Sequence, residues 1–219
     1  MRSALLIASA ALAFITVGKC FSQQTPHNSQ REAEAVVIKL YKYIVLRKPL
    51  GLPRKKEFET VQRFLSQDLI ERIRVASECE KDYFRQYPYD PAQPMKPPFD
   101  WLETGLFSGS NEQALPSRFG VRRVARQKDG SYEVRVKLTY WNEFDKYPRP
   151  RGPKYDWNWE VVVFVIRYGD HYAVNDVFYP EIHADHSEPH YPAVENTRLS
   201  QLLSDGCKDG KWIGYPDNE

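Results

Sequence analysis

Two carboxylates stand in otherwise apolar strand-like runs, and they are the first candidates for chemistry. Glu160 lies in 157–168, where Trp157, Trp159 and Val161 alternate with Asn158 and Glu160. It therefore shares a sheet face with Val162 and Phe164. If that face lines a pocket, burial would raise the carboxyl pKa and poise it as a general acid or base. The competing outcome is a solvent-facing Glu160, or one paired with an arginine on a neighbouring strand. Asp176 lies in the last such run, between Asn175 and Val177. It would either orient a ligand or bond loop amides and an arginine, because a buried polar group needs partners.

A second group is imidazole-rich. His183, His186 and His190 surround Asp185, a ligand set suited to Zn²⁺ or another borderline metal. Pro180, Pro189 and Pro192 exclude a regular helix there, and neither His-Glu-x-x-His nor paired cysteines accompany it. No metal or other cofactor is expected on this pattern. Gly-x-Ser-x-Gly and glycine-rich phosphate loops are absent from the sequence. A third group is aromatic: Phe99, Trp101, Phe107, Tyr140, Trp157 and Trp159. Together they would line the mouth of a pocket for an apolar or sugar-like ligand, or else form core.

The elements that must position these residues are helices first and strands second. Ala33, Val36, Val37, Leu40, Tyr41, Ile44 and Val45 fall on one helix face, with Ser29 and Glu32 as a capping box. Pro49, Gly51 and Pro53 end that helix. Further helices are expected over 55–65 and from Ser66, the latter with Leu69, Ile70, Ile73, Ala76 and Tyr83 buried and Cys79 at the edge of that face. Residues 87–117 are proline-rich but carry Phe99, Trp101, Leu106 and Phe107, which predicts a long ordered loop pinned by its aromatics. Strands are expected over 119–127, 132–141, 157–168 and 171–179, with turns at Asp129-Gly130 and Gly169-Asp170. A short helix over 197–204, capped by Asn196 or Thr197, closes the chain before Gly206. This order predicts an α+β fold, with helices on one face of an antiparallel sheet of about four strands.

The N-terminus reads as an export signal. Arg2 precedes an apolar stretch over 4–17, and Cys20-Phe21-Ser22 offers small residues for a cut before Gln23. The apolar stretch is shorter than the roughly 20 residues of a membrane span. Lys19 argues against lipid attachment at Cys20. Without residues 1–22, the Lys+Arg count falls from 31 to 29, against 29 Asp+Glu, and the formal net charge becomes zero. Nucleic-acid binding is thereby disfavoured. The basic clusters at 54–56 and 149–154 read as solvated faces. Cys79 and Cys207 then remain as an even pair, which in an oxidising compartment favours a disulfide. The expected organisation is a signal over 1–22, a flexible stretch over 23–30, one domain over 31–214 and a tail over 215–219.

Three sets of residues carry a family likeness. They are Lys96, Pro97, Pro98 and Phe99 with Leu106, Phe107 and Ser108; the run 172–179; and the run 199–207 with Lys211, Trp212, Ile213 and Gly214. Over residues 30–214 the chain resembles a secreted bacterial family of unknown function with the NTF2-like fold. The resemblance implies a cone-shaped cavity between sheet and helices. In NTF2-like enzymes that cone holds an acid or base. The sequence-based expectation is an exported, non-catalytic binding domain for a small ligand or protein partner, a monomer or dimer, periplasmic or extracellular. The alternatives are a pocket enzyme using Glu160 or Asp176 in proton transfer or hydrolysis, and an envelope interaction or inhibitor protein with a filled cone and loop 87–117 as its contact surface.

Overall fold

In the computed structural model, residues 26–88, 90–92, 95–140, 157–181 and 194–215 are described. The expected signal over 1–22 and the candidate metal ligands His183, His186 and His190 lie outside them. Helix α1 spans Pro26–Arg47, α2 Lys55–Val61 and α3 Gln67–Gln86. The start of α1 lies ahead of the expected Ser29 cap, so residues 26–30 are helical rather than a flexible lead. Proline suits a first helical turn, because its missing N–H would have no partner there in any case. Helix α3 starts from Ser66 as expected, and Ser66 caps it, its Oγ accepting from Leu69 N at 3.2 Å. Among the described residues, no helix is long and apolar enough to cross a membrane.

Five antiparallel strands form one sheet in the order β1-β2-β3-β4-β5. They are β1 (Arg118–Arg126), β2 (Tyr132–Tyr140), β3 (Trp157–Tyr168), β4 (His171–Tyr179) and β5 (Thr197–Arg198). The fifth strand was not expected. Thr197 and Arg198 pair with Tyr179 and Phe178, so the last helix, α4 (Leu199–Leu202), begins two residues later than its sequence suggests. Two residues are too few to show any period. The doubly apolar β3 is the central strand, as burial on both faces requires.

Helix α1 crosses β1 to β4. Its apolar face meets Tyr132, Val134, Val136 and Leu138 of β2 and Trp159, Val161, Val163 and Val165 of β3 in one core. A bulge at Asn175 breaks the alternation of β4, with Phe164 opposite Asp176 but Val165 opposite Val174. Tyr172 and Val174 before the bulge, and Val177 and Tyr179 after it, all reach the core. Strict alternation from Val174 would have turned Asp176 inward. The extra residue turns it to the other face, beside Phe164.

The C-terminus folds back onto α3. A hairpin of β6 (Cys207–Lys208) and β7 (Lys211–Trp212) is joined to α3 by the Cys79–Cys207 disulfide, across a sequence separation of 128. Closing a loop of that length stabilises by up to about 4–5 kcal/mol in the chain-entropy model. Cys79 is fully buried rather than at the edge of its helix face. Trp212 packs edge-on against Tyr83 and Phe99, and its amide donates to Asp82 Oδ2 at 3.1 Å. Gly206, at φ +65°, lies so close to the Trp212 ring that a Cβ there would sit 2.2 Å from it.

Candidate functional site

The two candidate carboxylates occupy different settings, and neither is an unpaired acid in an apolar pocket. Glu160 is exposed, on the sheet face opposite the core, directly across from Lys137 of β2. The sequence correctly groups it with Val162 and Phe164 but does not say which face that group occupies. Both faces of β3 are apolar, so alternation alone leaves the choice open.

Asp176 is buried, with 6 % exposure, and its oxygens are fully engaged. Oδ1 accepts from Val177 N at 2.9 Å and Ser200 N at 3.0 Å. Oδ2 accepts from Ser200 Oγ at 2.8 Å and Arg198 Nη1 at 3.4 Å. Ser200 stands in the first turn of α4, so Asp176 supplies from β4 the cap that Asn196 or Thr197 was expected to give. The Arg198 guanidinium also lies over the Phe164 ring, 4.3 Å from its centre. This cluster fastens α4 to the sheet.

The aromatic candidates are largely core. Phe99, Trp101, Phe107 and Trp159 are each at most 4 % exposed, while Tyr140 and Trp157 are partly buried against the same core. Phe99 stacks on Trp101 at 4.6 Å and meets Tyr83 and Trp212. Trp157 and Trp159 pair separately, at 5.2 Å, at the start of β3.

Residues 104–110 of the long loop run inward rather than over the surface. Residues 105–110 form a tight turn, with Ser108 N and Gly109 N donating to Gly105 O and Gly105 N donating to Ser110 O. Ser108 and Ser110 are fully buried and share a 2.7 Å hydroxyl contact. Rings from the surrounding core hold the outward-pointing carbonyls. Tyr41 OH donates to Phe107 O at 2.7 Å, Trp159 Nε1 to Ser108 O at 2.8 Å, and Tyr179 OH to Leu106 O. Burial pushes the Tyr41 phenol up. Burial does the same to Tyr179, with nearby Tyr41 and Asp176 adding to the rise. Gly109, at φ +67°, presses on Tyr179, where a Cβ would come within 2.7 Å of the ring. The sequence showed that this loop was too apolar for a linker. It gave no sign that its carbonyls would be bonded from α1, β3 and β4, because those partners are 51 to 73 residues away.

A concave, charged surface lies elsewhere. Between α2 and α3 is a cavity of about 510 Å³ with Leu52, Phe58, Ile73 and Phe84 as its apolar part and Arg54, Lys55, Arg74 and Lys81 among its charged lining. Its α3 wall was legible as a stripe: Arg74, Ser77, Lys81 and Phe84 follow at i, i+3, i+7 and i+10, one helix face beside the buried one. A larger hollow of about 800 Å³ borders the C-terminal hairpin and carries Asp100, Glu195 and Asp205. Among the described residues, no group of three or more His, Cys, Asp or Glu is placed to hold a metal ion. Comparisons of the chain with protein-family models, with curated proteins and with solved structures return no match.

Proposed function

We propose that this chain is an exported, non-catalytic binding domain whose recognition surface lies outside the space between helices and sheet. One observation carries the reading: the 105–110 turn occupies the core beneath the helices, and buried ring donors satisfy its outward carbonyls. On this reading, the space that the NTF2-like resemblance would leave open as a cone is taken by the chain's own loop. A pocket enzyme would need an acid facing a void, whereas Glu160 is exposed and Asp176 caps α4. The inhibitor alternative gains from a filled core; its contact surface would be the exposed stretch with Tyr87 and Met95, since Phe99, Trp101, Leu106 and Phe107 of loop 87–117 are buried. Export is supported by the disulfide, a bond that persists in oxidising compartments.

Binding and turnover separate by stoichiometry. The purified protein is incubated with the small-molecule extract of the culture that produces it, and free species are followed by mass spectrometry. A binding domain depletes its ligand only up to about one equivalent per chain and releases it unchanged on denaturation. Consumption beyond that equivalence, with a product mass, would contradict the reading.

A further inference from the structure

We propose that the cavity between α2 and α3 binds a small carboxylate-bearing amphiphile, its hydrocarbon part on Leu52, Phe58, Ile73 and Phe84 and its carboxylate at the basic rim. The assignment rests on the binding-domain reading and names the ligand class. Size points to a small molecule: about 510 Å³ falls within the range of small-ligand pockets. The apolar part is graded, with Leu52 and Ile73 buried beneath and Phe84 standing 40 % exposed at the edge.

Charge selects the head group. Arg54, Lys55, Arg74 and Lys81 line the cavity against the single lining carboxylate of Glu80. Neighbouring acids take part: Arg54 meets Glu80 at 3.6 Å, Arg74 meets Glu71 at 3.7 Å and Lys81 meets Glu78 at 2.7 Å. Each of these pairs has at least one exposed partner, and such surface pairs hold their partners weakly. An arriving carboxylate exchanges partners at little cost. The Arg74 guanidinium already lies over the Phe58 ring, 5.7 Å from its centre, so one wall presents a cation and an apolar surface together. Lys55 is held at φ +29°, a backbone setting rare outside glycine, and such strain gathers at ligand clamps. A neutral apolar ligand would use the floor alone, and a simple anion the rim alone.

The test is an amide-resolved NMR titration of the full chain with sodium octanoate, with 1-octanol as the neutral control. Octanoate is expected to shift amides of α2 and of residues 74–84, and octanol to bind roughly fivefold or more weakly. The Arg74→Gln/Lys81→Gln double variant should weaken octanoate about five- to tenfold, two exposed contacts' worth. Raising salt should do the same by screening. Phe84→Ala, at a half-open position, tests the apolar half and should weaken both probes alike. Shifts centred elsewhere, equal binding of octanol, or no shift at millimolar octanoate would overturn the proposal. If octanoate fails while stoichiometric depletion holds, the binding-domain reading stands and the cavity is wrong. Turnover in the depletion experiment would remove the reading itself.

Discussion

The 105–110 turn and the α2–α3 cavity both set polar groups against apolar walls, but they resolve the polarity in opposite ways. In the turn, carbonyls, amides and serine hydroxyls find partners inside the protein, and the glycine at its apex touches a tyrosine ring. At the cavity, exposed cations in weakly held pairs rim a hollow. A buried polar network with its bonds made is a structural device. A concave surface with exchangeable charges is where a ligand gains. Aromatic content alone does not separate the two, because aromatics dominate both cores and binding sites.

Four changes break or sharpen this contrast. The largest effect is expected from Gly109→Ala, which combines a left-handed backbone with a 2.7 Å approach to Tyr179. Urea unfolding should show a loss of about 2–4 kcal/mol, and a near-neutral result would mean the turn is loosely seated. Next are the ring donors. Tyr41→Phe and Trp159→Phe each leave a buried carbonyl without its donor, and each should cost about 1–3 kcal/mol.

The same phenols give an alkaline signature. Tyr41 and Tyr179 ionise above their ordinary value of 10.0 in the folded protein, so above that value the unfolded chain has lost more protons. Stability is therefore full below about pH 10 and falls as pH rises beyond it. Melting temperature measured from pH 8 to 11 should drop more steeply in the wild-type chain than in Tyr41→Phe. The smallest effect on stability is expected at the cavity. Arg74→Gln and Lys81→Gln should each stay within about 0.5 kcal/mol of wild type, as surface changes do. A larger loss would make the basic rim structural.

How much of this was legible in the sequence follows from the range of the interactions. Strand and helix faces were readable because period two and period 3.6 are local properties, and the buried residues of α1, α3 and β2 follow them. The helix-then-strand order gave the α+β class, and the even cysteine pair gave the disulfide. The side of the sheet taken by Glu160 was not readable, because β3 is apolar on both faces. The environment of Asp176 depended on one bulge residue, Asn175, and on a partner, Ser200, 24 positions away. The start of α1 was misplaced because Ser29 and Glu32 imitate a capping box, although Pro26 can open a helix three residues earlier. The cavity's basic wall was visible as charge, but its apolar floor needs Leu52 and Ile73 from separate elements.

Amide hydrogen exchange on the ligand-free protein tests most directly whether the chain fills its own core. Ser108 N and Gly109 N donate to Gly105 O inside the turn. If the turn is part of the core, these amides should exchange only through global unfolding, with the same opening free energy as the central amides of β3. Exchange at a much lower free energy than β3 would mean that the turn opens independently. It would then be a lid over a ligand space, and the filled-core account would be wrong.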